Sequence, residues 1–235
     1  MLRLADERNF ARTLAGLSLI VAPALLLLAT LIGPDLSGDA DERLAAIADN
    51  EGRYVVSGYL FLLAAWAFVP GLIGLWRLFR GPRVTLGQIG AGLVLLGVIT
   101  TIAFFGFGAY EYEAAQPDLD PAQMAQLADN VDESDVTTPL FIITFVLGIG
   151  IGSLIVAWSL WRRQVVPPWA SAAIVAGTIL GAFSEDSLAL GAIGFALLLV
   201  GFGWVGLKLL SMSDDEWDLL GRAPGPAAPP PGPAG

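Results

Sequence analysis

The sequence predicts an all-α integral membrane protein, a bundle of six transmembrane helices with both termini in the cytoplasm. Three observations predict it: an apolar composition, six long uncharged stretches, and an uneven distribution of arginine around them. Hydrophobic residues make up 55% of the chain and charged residues 14%, with a positive mean hydropathy, whereas a soluble domain carries roughly 25% charge. Hydrocarbon is the expected solvent for most of these side chains.

A helix needs about 20 apolar residues to cross about 30 Å of hydrocarbon. Six segments between clusters of charged side chains meet that length, at about 13–34, 54–79, 84–110, 136–161, 165–184 and 187–209. Only Glu185 and Asp186 separate the last two. One continuous helix would hold both carboxylates deep in hydrocarbon, so a tight hairpin is expected. The chain then divides into a cytoplasmic N-terminus (1–12), a transmembrane domain (13–210), a juxtamembrane helix (211–221) and a Pro/Ala/Gly tail (222–235). The tail cannot bury a core and is expected to be disordered. The first span is read as retained: its apolar run exceeds a signal-peptide h-region, Asp6 and Glu7 precede it, and no small-x-small site follows.

Orientation follows from the positive-inside rule. Ten of the twelve basic residues fall on one side of the six spans: Arg3, Arg8, Arg12, Arg77, Arg80, Arg83, Arg162, Arg163, Lys208 and Arg222. Arg43 and Arg53 lie opposite, among fourteen carboxylates of the first and third connections. All four tyrosines, Tyr54, Tyr59, Tyr110 and Tyr112, fall near the acidic ends of spans, and Trp76, Trp158, Trp161, Trp169 and Trp204 fall toward the arginine-rich ends, as interfacial belts do.

The two long acidic loops resemble each other. Pro34-Asp35-Leu36 and Ile47-Ala48-Asp49-Asn50 in the first answer to Pro117-Asp118-Leu119 and Leu127-Ala128-Asp129-Asn130 in the second, and Leu60-Phe61 answers to Leu140-Phe141. Asp39 with Glu42, and Asp120 with Pro121 and Gln123, are helix-start signals. Each loop is expected to carry a short extracytoplasmic helix lying on the membrane surface, with Leu44, Ile47 and Ala48, or Met124, Leu127, Ala128 and Val131, facing lipid or the bundle. The pattern suggests a repeated in-out-in hairpin, with chance similarity of Ala- and Asp-rich helices as the alternative.

Gly148 with Gly152, and Ala173, Gly177 and Gly181, are spaced to let helices approach closely. Pro23 and Pro70 are expected to bend the first two spans. Ser213 and Glu216 form a capping box opening the juxtamembrane helix. Its Trp217, Leu219 and Leu220 are expected on the membrane surface, with a docking site for a cytoplasmic partner as the alternative.

Chemistry is limited by what is missing. Without cysteine or histidine, the chain has no thiolate nucleophile, no imidazole base, no thiolate or imidazole metal site and no histidine-ligated haem. None of the six spans carries a charge in its interior, which argues against proton relays, voltage sensing and charge-coupled transport. Ser153 in Gly150-Ile151-Gly152-Ser153 lacks a base and is read as packing. Lys208 lacks an intramembrane carboxylate to serve a retinal Schiff base and is expected to snorkel. No cofactor and no catalytic residue is expected. Oxygen-only clusters suit Ca²⁺ or Mg²⁺, and Glu111, Glu113, Glu185 and Asp186 are the candidate cation cluster at the acidic ends.

Six spans, Ile47-Ala48-Asp49-Asn50-Glu51 after the first loop, and Gly71-Leu72-Ile73-Gly74-Leu75 ahead of the arginine cluster resemble small multi-pass proteins grouped in bacterial families of unknown function, common in actinobacteria. That resemblance implies a cytoplasmic-membrane protein and carries no active site. The expected role is a non-enzymatic accessory component whose partners are the bilayer and another membrane protein or a second copy, with no nucleic acid. The alternative is a small transporter or channel for an uncharged or cationic solute, lined by Thr100, Thr101, Thr144, Ser153 and Thr178.

Overall fold

The computed structural model describes residues 7–79, 85–116, 118–132, 134–135, 139–140, 142–183 and 187–221. The regular elements among these residues are all helices: α1 (Glu7–Ile32), α2 (Ala40–Asp49), α3 (Glu51–Leu78), α4 (Leu86–Ala114), α5 (Pro121–Asp132), α6 (Ile142–Arg162), α7 (Pro168–Gly181), α8 (Leu188–Ser211) and α9 (Asp214–Gly221). Local signals fix their starts. Asp39 accepts from the Glu42 N–H at 3.1 Å to open α2, and Asp120 accepts from the Ala122 N–H at 3.1 Å and the Gln123 amide at 3.0 Å to open α5. Thr85 and Gln88 close a reciprocal capping box on α4, which the sequence reading passed over.

Four helical stretches are long and apolar enough to cross a membrane, Asn9–Ile32, Glu51–Leu78, Ile142–Arg162 and Leu188–Ser211, against the six that the sequence leads one to expect. The other two carry shorter described apolar stretches, Leu86–Ile102 within α4 and Pro168–Gly181 in α7. For α7 the cause is local. Gln164 takes a left-handed φ of 56° after α6, and Pro167-Pro168 delays the next helix to Pro168. The remaining 14 residues reach about 21 Å at 1.5 Å per residue, short of the hydrocarbon thickness. At the other end of the chain α1 begins already at Glu7, so the first helix starts within the N-terminal stretch 1–12. Both helices run through their prolines, Pro23 and Pro70. The tail from 222 onward lies outside the described residues.

The first ten residues of α6, Ile142–Ile151, are π-helical. Nothing in their composition announced this. π-helical stretches are rare and tend to sit at functional sites, and this one borders the cavity described below.

Six helices form a ring in chain order, each packing on its neighbours: α1 on α3, α3 on α4, α4 on α6, α6 on α7, α7 on α8, and α8 back on α1. Glycines draw the axes together. A Cβ on Gly148 would stand 2.7 Å from Gly97 Cα, one on Gly152 2.8 Å from Val94 N, and one on Gly177 2.7 Å from both Gly194 O and Leu198 N. Gly194 meets the Gly181 backbone, and a Cβ on Gly16 would stand 2.9 Å from Gly206 O. Such spacing leaves no room for any side chain, and close backbone approach is what holds helices together in lipid. The outer surface of the ring is apolar, with Leu31, Trp66, Leu96, Ile99, Ile193 and Leu207 more than half exposed.

Toward the arginine-rich end the interior is solid. Leu72, Leu75, Phe79, Val156, Leu160, Ile174, Val205 and Leu209 are buried together there. α9 packs on α1 and α3 at this end, with Trp217 buried in the same core. The expectation that Trp217 lies on the membrane surface is corrected: Arg12 pairs with Asp214 at 3.1 Å and donates to Leu210 O at 3.3 Å, holding α9 against the bundle. The Ser213 N–H donates to the Glu216 carboxylate at 2.8 Å, which holds that carboxyl below its usual value. The side chains of Leu219 and Leu220 lie outside the described residues.

Replacing Gly148 by valine forces α4 and α6 apart and should lower thermal stability in detergent by about 1–3 kcal/mol. Gly203→Ala is the control, because the nearest atom to its added Cβ, in Leu199, is at 3.9 Å; alanine's better helix propensity should leave stability unchanged or slightly raised. Equal losses for the two variants would contradict the seam.

Candidate functional site

Toward the acidic end the interior of the ring is not filled, and a cavity of about 480 Å³ occupies its centre. That volume lies in the roughly 300–1,000 Å³ range of small-molecule sites. All six ring helices line it. Aromatic pairs join α3 to α8 in its wall. Phe68 and Phe202 meet edge to face with ring centroids 5.7 Å apart, and nearer the acidic end Phe61 and Phe195 meet at 6.1 Å. At the rim the lining includes Gly33, Pro34, Asp35, Leu36, Ala182 and Leu188.

Hydroxyls are the cavity's main polar side-chain groups. Thr30 donates to Leu26 O at 3.1 Å, Ser57 to Tyr54 O at 2.8 Å and Thr101 to Gly97 O at 2.9 Å. Each proton is committed to its own helix, so the oxygens face the cavity as acceptors. Thr178 Oγ1 is shielded and has no hydrogen-bond partner. Asp35 is the one ionisable side chain among the described lining residues, and it is tied up at the rim: the Ser37 N–H and Oγ–H donate to it at 3.1 and 2.8 Å. These bonds hold the Asp35 carboxyl below its usual value of 3.8, so it is ionised at neutral pH.

Of the polar lining read from sequence, Thr101, Ser153 and Thr178 face the cavity. Thr144 is fully buried outside the lining, and Thr100 donates back to Leu96 O at 2.8 Å. The phenylalanines Phe61, Phe68, Phe145, Phe195 and Phe202, together with Thr30 and Ser57, went unread. Hydroxyls next to an apolar helix face are the only sequence signal that could have found the last two.

The candidate cation cluster does not assemble in the described part of the chain. Glu111 is paired with Arg43 at 3.1 Å and lies 3.1 Å from the Tyr54 hydroxyl, Glu113 is exposed, and Glu185 and Asp186 lie outside the described residues. Among the described residues no three carboxylates come together as a metal site would require. Glu111 serves a cap instead. α2 and α5 pack face to face, burying Leu44 and Ile47 of one against Ala125 and Ala128 of the other, with Ala114 of α4 beneath. The sequence leads one to expect these faces against lipid or the bundle; Leu44, Ile47 and Ala128 instead meet between the two loop helices, and Leu127 is 41% exposed. Small residues at Ala125 and Ala128 let the two short helices approach closely, which neither could do against lipid headgroups.

The two basic residues of this end have structural work there. Arg43 pairs with Glu111, and Arg53 donates to Ile32 O at 2.8 Å and Gly33 O at 3.0 Å, satisfying the last carbonyls of α1. At the opposite end Arg163 does the same for α3, donating to Leu78 O at 3.2 Å and Phe79 O at 3.1 Å while its guanidinium lies over the Phe79 ring. Trp169 with Trp204 and Trp158 with Trp161 form exposed edge-to-face pairs toward that end.

A model of a family described as a domain of unknown function (DUF4386) matches residues 14–207. No curated protein and no solved structure matches the chain.

If Glu111 is a strut of the cap, Glu111→Gln and Arg43→Gln should each loosen α2, and the double variant should lose little more than either alone. A thermodynamic cycle on the folded protein should give a coupling of about 0.5–1 kcal/mol for this partly exposed pair. A coupling of zero, or a saturable Ca²⁺ stabilisation abolished by Glu111→Gln alone, would contradict that role.

Proposed function

The chain belongs to the DUF4386 family, whose match covers the ring helices from residue 14 to 207, and from this premise we propose that it is a multi-pass protein of the cell membrane that binds a small molecule inside its helical ring. In this reading α4 and α7 complete six spans, both termini face the cytoplasm, and the cavity rim faces outside. The observation that carries it is the large cavity at the centre of the ring, lined from all six helices and walled in part by aromatic pairs. A bundle built only to dock a partner would gain by filling its centre, because every void forfeits packing. The reading therefore moves from an accessory component toward a binding or carrier protein for an uncharged solute.

The role is non-enzymatic. The cavity hydroxyls have no imidazole or thiolate beside them, since the chain contains neither, and the rim carboxylate of Asp35 is held by its own loop. Binding by shape and a few hydrogen bonds is the chemistry that remains.

Topology and occupancy can be tested together. A reporter active only outside the cytoplasm should work when fused after Asn50 or Asn130 and fail after Gly81 or at the C-terminus; activity at the C-terminus would contradict six spans. Native mass spectrometry of protein taken from its own membrane in mild detergent should show a small-molecule adduct. Ala65→Trp, which fills the cavity from α3, should remove the adduct while leaving helix content unchanged. An adduct unaffected by Ala65→Trp would place binding elsewhere.

A further inference from the structure

We infer that the molecule held in the cavity is a neutral lipophile with a hydrogen-bonding head, taken from the bilayer through a side opening between the π-helical half of α6 and α7; this rests on the binding reading above. The opening follows from how the ring closes. The α-helical half of α6 packs on α7, but its π-helical half, Ile142–Ile151, scarcely touches α7. The two helices diverge toward the acidic end, where Phe145, Ile149 and Gly150 on one side face the cavity together with Gly177, Thr178 and Gly181 on the other. At the neighbouring seams the glycines bring backbones into contact, Gly97 with Gly148 and Gly181 with Gly194. At this seam no atom of another helix among the described residues lies within 4 Å of the Gly150 Cβ position; its neighbour there is Phe145 O, in its own helix, at 3.1 Å. Gly181 turns its Cβ position toward α8, not α6. Small residues therefore leave this wall thin.

The ligand's chemistry follows from the lining. A charged ligand would need a counter-charge inside. Among the described lining residues Asp35 alone is ionisable, and it sits at the rim with both Ser37 donors on it. Burying an unpaired ion among phenylalanines is strongly unfavourable. Thr30, Ser57 and Thr101 offer only acceptor oxygens, because their protons go to their own helices. They select a head that donates, such as a hydroxyl. Thr178 Oγ1, at the diverging wall, is shielded from the cavity, so these three oxygens are the acceptors left to a ligand's head. The outer faces of the same helices, Ile142, Ile143, Val146 and Ile179, are exposed and apolar, so the opening leads to acyl chains and not to water.

The test uses the full chain in nanodiscs with diazirine-bearing photoprobes. One is a sixteen-carbon alcohol, two are its permanently charged sulfonate and trimethylammonium counterparts, and one is a short water-soluble alcohol. Modified residues are mapped by mass spectrometry with and without excess unlabelled long-chain alcohol. The expected result is competable modification of Phe145, Ile149 and their cavity neighbours by the long alcohol, at least tenfold above either charged probe. Thr101→Val, which keeps the side-chain shape and removes a lining acceptor, should reduce that modification roughly three- to tenfold, the worth of one hydrogen bond. Competable cavity modification that is equal for charged and neutral probes, or indifferent to Thr101→Val, would overturn the ligand class while leaving the binding reading intact. Modification by the short alcohol alone would overturn the bilayer route. With the fold intact, no competable modification of the lining by any probe would overturn the binding reading as well.

Discussion

Backbone contact between helices is the constraint on which the rest of this structure depends. In lipid, apolar side chains gain nothing by leaving one apolar neighbour for another, so helices associate only where they fit closely. Here the fit is made at Gly16 with Gly206, Gly97 with Gly148, Gly152 with Val94, and Gly177 and Gly181 with Gly194. These seams lie between ring neighbours, so they pull each helix sideways toward the next and not inward toward an axis. What fills the axis is left to the larger side chains. At the arginine-rich end leucines, Phe79 and Trp217 fill it; toward the acidic end phenylalanines stand around it with glycines, alanines and hydroxyls between them, and the centre stays empty. The cavity is the consequence of strong seams around a sparsely filled half.

Helix ends pose the second demand, since carbonyls left over at a C-terminus cannot stay bare near hydrocarbon. Three arginines answer it across helices: Arg53 for α1, Arg163 for α3, and Arg12 for α8 through Leu210 O. Each couples a helix terminus to a different helix, and each brings a cation to the negative end of a helix dipole. The charges that bias orientation thus also lock the bundle. Arg53, which looks like an exception to the one-sided charge distribution, is explained by this second duty.

Much of the architecture was written in the sequence because charge punctuates it. Arg77 and Glu51 bracket α3, Asp39 and Asp120 start the loop helices, and Ser213 with Glu216 starts α9. The cavity was not legible, for a physical reason. A helix that is apolar on every face carries no stripe to say which side is interior, so Phe61 and Phe195 read the same as the lipid-facing Leu63 and Ile193. The π-helical register of Ile142–Ile151 left no trace either, since its residues would suit an α-helix equally well. The helix of the fifth span starts later than its apolar run because Pro167-Pro168, apolar in composition, delays the helix start. Pairing of α2 with α5 was half visible: the repeated Ala-Asp-Asn segments flagged two like helices, but nothing in either one named the other as its partner.

Water access along the ring axis tests this account most directly, and the cysteine-free chain is a ready background for it. Single cysteines at Ser57, Ala65 and Thr101 line the cavity, whereas cysteines at Val156 and Ile174 lie in the filled half. A small membrane-impermeant thiol reagent added from the acidic side of oriented vesicles should modify the first three and spare the last two, and from the arginine-rich side it should modify none of the five. Equal modification of all five, or modification of the cavity positions from the arginine-rich side alone, would contradict a ring that is open at one end and sealed at the other.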